Sequence, residues 1–199
     1  MSKSAERASR RAEFVAAGMR LIAQEGLQGA TLRRISAEAG YTTGAITHHF
    51  SNRDDLLIEI LRVVCEVSFN RIGMINQSGM SHFECLREII LQGLPFDEER
   101  EIEWKVWFAF WTAGATGHAR LAEENDRYYA LWDQAIRDNL AKLCDASVLE
   151  DELAYISAIV DGLGIQILRV AGDVEQKQRI VERHRAVIIT YIARFDHQL

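Results

Sequence analysis

The chain has 199 residues, 48% of them hydrophobic, with a single Pro and 13 Gly. A Pro content far below the usual ~5% argues against a turn-rich sheet protein and for long helices. The formal net charge of −6 excludes a wholly basic nucleic-acid coat, but of 23 Lys and Arg and 29 Asp and Glu, nine and seven lie up to Arg62, leaving 14 against 22 beyond it. A mildly basic N-terminal unit on an acidic body suits a protein that touches a polyanion with one end only.

In chain order, residues 1 to 8 are polar and read as a loose arm. From about Ser9 to Gln24 the apolar positions Phe14, Ala17, Leu21 and Ile22 share one helical face, and Gly26 and Gly29 mark the connection that follows. The stretch TLRRISAEAGYTTGAITHHF, from Thr31 to Phe50, then holds two short helical segments about a Gly-marked turn. Thr31 is a good N-cap, Gly40 ends the first segment, and Thr42 caps a second running through Phe50, with Ile46 and Phe50 on its buried side. This is a helix-turn-helix, whose second helix reads the major groove. Thr43, Ala45, Thr47 and His48 are left facing outward, short enough to approach base edges. Arg10, Arg11, Arg33, Arg34 and Arg53 are the candidates for phosphate contact around them.

Asn52 caps the next helix, with Asp55 at its third position, and Leu56, Leu57, Ile60, Leu61 and Val64 form a broad apolar stripe. This helix, over 53–72, links a DNA-binding module of residues 1–52 to a larger one of residues 53–199. Gly73 to Gly79 is the expected loop, followed by a helix from about His82 to Gln92 that Gly93 and Pro95 break. The helix that begins at DEER carries the aromatic centre, with Trp104, Trp107, Phe108 and Trp111, and a long helix from Leu121 to Cys144 adds Tyr128 and Trp132. The bland role of these rings is bundle core. The functional one is the wall of an effector cavity, where two or three aromatic faces would suit a cation.

The last two helices are expected over Glu150–Val170 and Val174–Phe195. The first is apolar on more than one side and includes Gly162 and Gly164, which suggests close approach of another backbone. Ile156, Ile159, Val160, Leu163, Ile167, Val187, Ile188 and Tyr191 form the candidate dimer interface, a four-helix bundle between two copies. Two readers about 34 to 36 Å apart would then fit successive major-groove faces of one palindromic operator.

Cys65, Cys85 and Cys144 match no zinc or CxxC pattern and read as buried hydrophobes in a reducing, cytoplasmic setting. No signal peptide or membrane span is evident. The six His residues form no i, i+4 metal pair and no Gly-rich phosphate loop follows a strand, so neither an enzyme, a metal nor a cofactor is expected. A helical interaction or structural protein without DNA binding is the rival reading. It accounts for the acidic body but not for a capped reader beside a basic arm.

The segment FVAAGMRLIAQEGLQGATLRRISAEAGYTTGAITHHFSNRDDLLIEIL resembles the N-terminal domain of TetR-family transcriptional repressors. Ala30-Thr31, Ile35 to Gly40, Gly44, Phe50 and Asn52 to Leu57 carry the resemblance in order. It implies an all-α fold in which three N-terminal helices bind DNA and a helical C-terminal domain binds an effector and dimerises. The stretch LPFDEEREIEWKVWFAFWTAGATGHARLAEENDRYYALWDQAI is similar to the regulatory domain of the choline-sensing repressors of glycine-betaine synthesis. The implied partners are a double-stranded DNA operator, a cationic or apolar small molecule and a second copy of the chain. His48 matches a frequent His of the family. Thr43, Ala45, Thr47 and His49 depart from it, since Lys or Ser, Thr or Ser, Tyr and Tyr are common at those positions, and the Tyr absent at Thr47 removes a common phosphate contact.

Overall fold

The computed structural model describes residues 3–170 and 172–196. It is all-α, with no strand among the described residues. The order is α1 (Lys3–Gly29), α2 (Leu32–Glu38), α3 (Thr43–Thr47), α4 (Arg53–Asn76), α5 (His82–Gln92), α6 (Glu98–Ala115), α7 (Ala119–Leu140), α8 (Leu149–Arg169) and α9 (Val174–Ile192), closed by a 3-10 turn over Ala193–Phe195. The chain divides into two compact units, Met1–Glu66 with Lys105–Asp126, and Val67–Trp104 with Arg127–Leu199.

Three expectations change. The arm is helical from Lys3 onward rather than loose, while Met1 and Ser2 lie outside the described residues. Exposed pairing of Arg10 with Glu6 one turn apart supports the added turns. The reader helix stops at Thr47, because His48 and His49 fold into a turn before Phe50. Gly73 lies inside α4, which continues to Asn76, and the chain bends instead at Gly79, whose φ of +80° an L side chain rarely adopts. The expected break after α1 does occur at Gly26, which has φ +70° within the residues assigned to that helix.

In the first unit, Phe14, Ile35, Ile46, Leu57, Ile60 and Leu61 are fully buried. Gly18 brings α1 close to α4, for a Cβ there would overlap the end of Ile60. In the second unit, Ser81 caps α5 in a capping box with Glu84, and α9 packs on α8 and α5. Its interior is organised around two indoles. Trp104 donates from Nε1 to the Gly93 carbonyl at 2.6 Å and its six-membered ring covers Gly164, while Trp132 covers Gly93. The close approach expected at Gly164 is therefore that of an indole ring rather than a backbone, and among the described residues nothing lies within 4 Å of a Cβ built on Gly162.

Polar groups join α7 to α8 in this unit. Tyr129 Oη donates to Asp161 Oδ2 at 2.6 Å and Ser157 Oγ donates to Asp133 Oδ1 at 2.9 Å. Burial raises the Asp161 carboxyl above its ordinary value, the Tyr129 bond opposes this and the Asp133 charge adds to it. The folded state thus holds this proton more tightly than the unfolded chain, and stability falls as pH rises through the interval above the ordinary 3.8. Asp161→Asn, with no charge to bury and an oxygen still able to accept from Tyr129, should be more stable than the parent at pH 7. Urea midpoints across the acidic range check this, since the gain must shrink toward low pH, and a pH-independent difference would refute the cause.

Candidate nucleic-acid interface and effector region

The helix-turn-helix is built by one side-chain cap, at Thr31, and by one αL residue, whereas Thr42, expected to cap the second helix, precedes α3 in extended backbone and makes no side-chain cap bond. Thr31 Oγ1 accepts from the Arg34 backbone N–H at 3.3 Å at the start of α2. At its end Gly40 takes φ +79°, the Gly40 N–H reaches the Ala37 carbonyl at 3.0 Å and the Tyr41 N–H reaches that of Ser36 at 2.8 Å. This is a Schellman motif, which needs a residue free to take positive φ at Gly40. Tyr41 then fixes the turn onto α1, its ring 5.2 Å from that of Phe14 and its hydroxyl donating to Glu13 Oε2 at 2.7 Å.

Ile46 and Phe50 are buried, which turns Thr43, Thr47 and His48 to solvent and leaves Ala45 half-buried. Thr47 Oγ1 donates back to the Gly44 carbonyl at 2.9 Å, a local bond at the end of a short helix. The turn after α3 receives two guanidinium donors from α1, Arg7 Nη2 to the His48 carbonyl at 3.3 Å and Arg11 Nη1 to that of His49 at 2.8 Å. Both are cations placed where a helix C-terminus leaves carbonyls open. His49 points inward, its ring edge-on to Phe14 at 5.5 Å and its Nδ1 buried with no hydrogen-bond partner among the described residues. Burial lowers its pKa, and the charges of Arg7, Arg11, Arg10 and His48 act in the same direction.

The five arginines separate by what they hold. Arg33 is exposed and forms no ion pair among the described residues. Arg10 pairs with Glu6, and Arg34 forms a fork with Glu25. Arg11 also pairs with Glu59 at 3.1 Å and lies over the Phe50 ring at 4.4 Å. Arg53 donates from Nε to the Ala30 carbonyl at 2.9 Å and from Nη2 to that of Leu27, closing the connection between α1 and α2. Arg7 and the Tyr41–Glu13 bond escaped the sequence reading. The spacing of Arg7 and Arg11, one turn apart on α1, was the available signal.

The aromatic residues divide between the two units. In the first, Trp107, Phe108 and Trp111 are half-buried on α6, Trp107 and Trp111 stacked at 5.5 Å and Phe108 edge-on to Trp111 at 5.9 Å. In the second, Trp104 and Tyr128 are buried and Trp132 is half-buried against Gly93. Tyr128 stacks with Phe69 at 6.4 Å and carries Arg127 over its ring at 4.7 Å.

Of the dimer candidates, Ile156, Val160, Ile167 and Ile188 are already covered by this chain's own side chains. Ile159, Leu163 and Tyr191 are partly exposed and Val187 is 44% exposed. Tyr155, 59% exposed, and Ile189, 42% exposed, are apolar surface that the sequence reading did not include. Among the described residues no group of three or more His, Cys, Asp and Glu is placed to hold a metal ion, and no helix is long and apolar enough to cross a membrane.

Residues 14–60 match the model of the bacterial regulatory proteins of the tetR family, and residues 84–192 match that of the C-terminal domain of BetI-type transcriptional repressors. The chain belongs to the TetR family. It is 30% identical to the transcriptional regulator PksA of Bacillus subtilis (strain 168), over 92% of both chains. It is 27% identical to the regulator BetI of Vibrio vulnificus (strain YJ016), covering 86% of this chain and 88% of that one. A transcriptional regulator from Saccharomonospora viridis, solved in complex with choline, superposes with a TM-score of 0.81 at 25% identity over 93% of this chain and 96% of that one. As a TetR-family regulator the protein pairs a DNA-binding helix-turn-helix with a helical ligand-responsive region.

Proposed function

We propose that this TetR-family protein is a cytoplasmic repressor that binds a palindromic operator as a homodimer and releases it when a small molecule binds. The observation that carries the reading is the outward face of α3 and the turn after it, where Thr43, Thr47 and His48 are exposed while Ile46 and Phe50 are buried behind them. Thr43, Ala45, Thr47 and His48 read base edges, and Arg33 supplies phosphate contact. Arg11, Arg34 and Arg53 have partners on other segments of this unit and contribute chiefly by holding the reader in place, while Arg10 pairs with exposed Glu6 on its own helix and stays near enough to solvent to reach phosphate. Residues 1–52 act as the DNA-binding module and residues 53–199 as the regulatory one. The exposed positions near Tyr155, Ile159, Val187 and Tyr191 supply the face for the second copy.

The first turn of α4 supports a path from effector to reader. Arg53 holds the connection between α1 and α2, while Asp54 lies 3.6 Å from His118 Nε2 and Asp55 accepts from Arg120 at 2.7 Å. The turn between α6 and α7 is thus tied to the residues directly behind the reader, all within one compact unit. Trp107, Phe108 and Trp111, half-buried together on α6, are the rings taken to meet an apolar or cationic effector. Choline is the first candidate to try, given the choline complex of the Saccharomonospora viridis regulator.

A duplex selected from a random pool with purified protein tests the reading. Thr43→Ala and His48→Ala should weaken binding to it by about 5- to 50-fold while leaving scrambled duplex nearly unaffected, since base contacts carry about 1–3 kcal/mol of discrimination. Equal losses on both duplexes would remove these residues from the specificity set. Stable partner binding without duplex affinity would instead favour the interaction-protein reading.

A further inference from the structure

One buried polar group is used neither by the reader nor by the aromatic trio of α6. Asn125 on α7 is only 3% exposed, and its side-chain oxygen has no hydrogen-bond partner among the described residues. Protein interiors pair nearly all such groups, because a desolvated amide with an unmade bond is unfavourable. The helix itself does not call for an amide here. Leu121, one turn earlier on the same face, is 1% exposed and shows that this face can be filled by an apolar side chain.

The α6–α7 hairpin sets what stands across from it. A Cβ on Gly114 would fall 3.1 Å from both Cα and Cβ of Ala122, so the two helices touch there, next to the turn at Gly117. Moving about one helical turn away from that connection brings Asn125 level with Phe110 and Trp111. Phe110 is fully buried, and Trp111 belongs to the stacked aromatic group. Asn125 therefore lies at the level of these rings along the hairpin, in the unit that also holds Trp107 and Phe108.

We infer that Asn125 accepts a hydrogen bond from the effector, which therefore carries a hydroxyl or N–H on a body that the α6 rings cover. The inference rests on the reading of this chain as a ligand-responsive regulator and adds the feature by which the ligand is chosen. A site built to bond a donor discriminates strongly against the analogue lacking it, because the buried acceptor then stays unpaired.

The test uses the full chain and two probes of nearly equal shape, choline and n-propyltrimethylammonium, in which a methyl group replaces the hydroxyl. Calorimetric titration should give at least about 10-fold tighter binding of choline to the parent protein. Asn125→Leu and Asn125→Ala should bind the two probes within about 2-fold of each other, and unliganded Asn125→Leu should melt no lower than the parent, since no satisfied bond is lost. The inference is overturned if the parent binds both probes equally, if the preference survives in both variants, if choline does not bind, or if the leucine variant melts much lower. Binding of the parent to the selected duplex is measured separately and reports on the regulator reading alone.

Discussion

Gly164→Ala should lower stability by about 2 to 3 kcal/mol, the upper part of the range for forcing atoms into a packed interior. At this chain length that corresponds to a fall of roughly 4 to 12 °C in the thermal midpoint. The added methyl would overlap the six-membered ring of Trp104, and that ring has little freedom to move. Its Nε1 is bonded to the Gly93 carbonyl, and Gly93 is itself covered by Trp132. Ala is a better helix former than Gly by about 1 kcal/mol, so the net loss measures the clash after that gain has been offset. Trp104→Phe should be destabilising alone, through lost volume and the lost bond, yet should relieve the clash. In denaturant titrations the double variant should therefore be more stable than the sum of the single effects by at least about 1 kcal/mol. Additive effects would show that the glycine does not serve the indole.

The second large effect is expected at Arg71→Met. Glu103 is 8% exposed and accepts from Arg71 Nη1 at 2.9 Å and from Ser68 Oγ at 3.1 Å. Its other contact with Arg71, through Nη2, makes the pair a two-pronged one, and Glu99 is a weaker partner at 3.8 Å. Removing the guanidinium strands a buried carboxylate, which in protein interiors is unfavourable by about 3–5 kcal/mol. The Arg71 side chain is 21% exposed, so water can reach part of the site, and a loss of about 2–4 kcal/mol is expected. Replacing both members, as Arg71→Met with Glu103→Leu, should recover most of it. A double variant as unstable as Arg71→Met alone would assign the loss to packing of the arginine stem rather than to the stranded charge.

The helix-turn-helix was largely legible because its signals are local. Thr31 as a cap, Gly40 at the turn, Ile46 and Phe50 on the inner side and Asn52 before α4 are each set by residues within a few positions, and the structure places them accordingly. α3 ends three residues before the expected Phe50, where the carbonyls of His48 and His49 are met by Arg7 and Arg11 from about 40 positions away. No local pattern announces a donor at that distance. The arginines show the same limit: five similar side chains in a basic region could not be sorted until their partners were visible.

Sequence alone determined the all-α class, the order of the helices, the outward placement of Thr43, Thr47 and His48, and the family, because periodicity, caps and turn residues act over one or two helical turns. Only the tertiary structure decided which side of α8 serves the chain's own core, that Gly164 receives an indole, and that the Asn125 side-chain oxygen is buried with no partner among the described residues. The physical reason is that a helix apolar on several sides carries no mark of which neighbour will cover each side. Burial, steric fit and hydrogen-bond satisfaction are properties of pairs of elements far apart in the chain, and they come into being only when those elements pack.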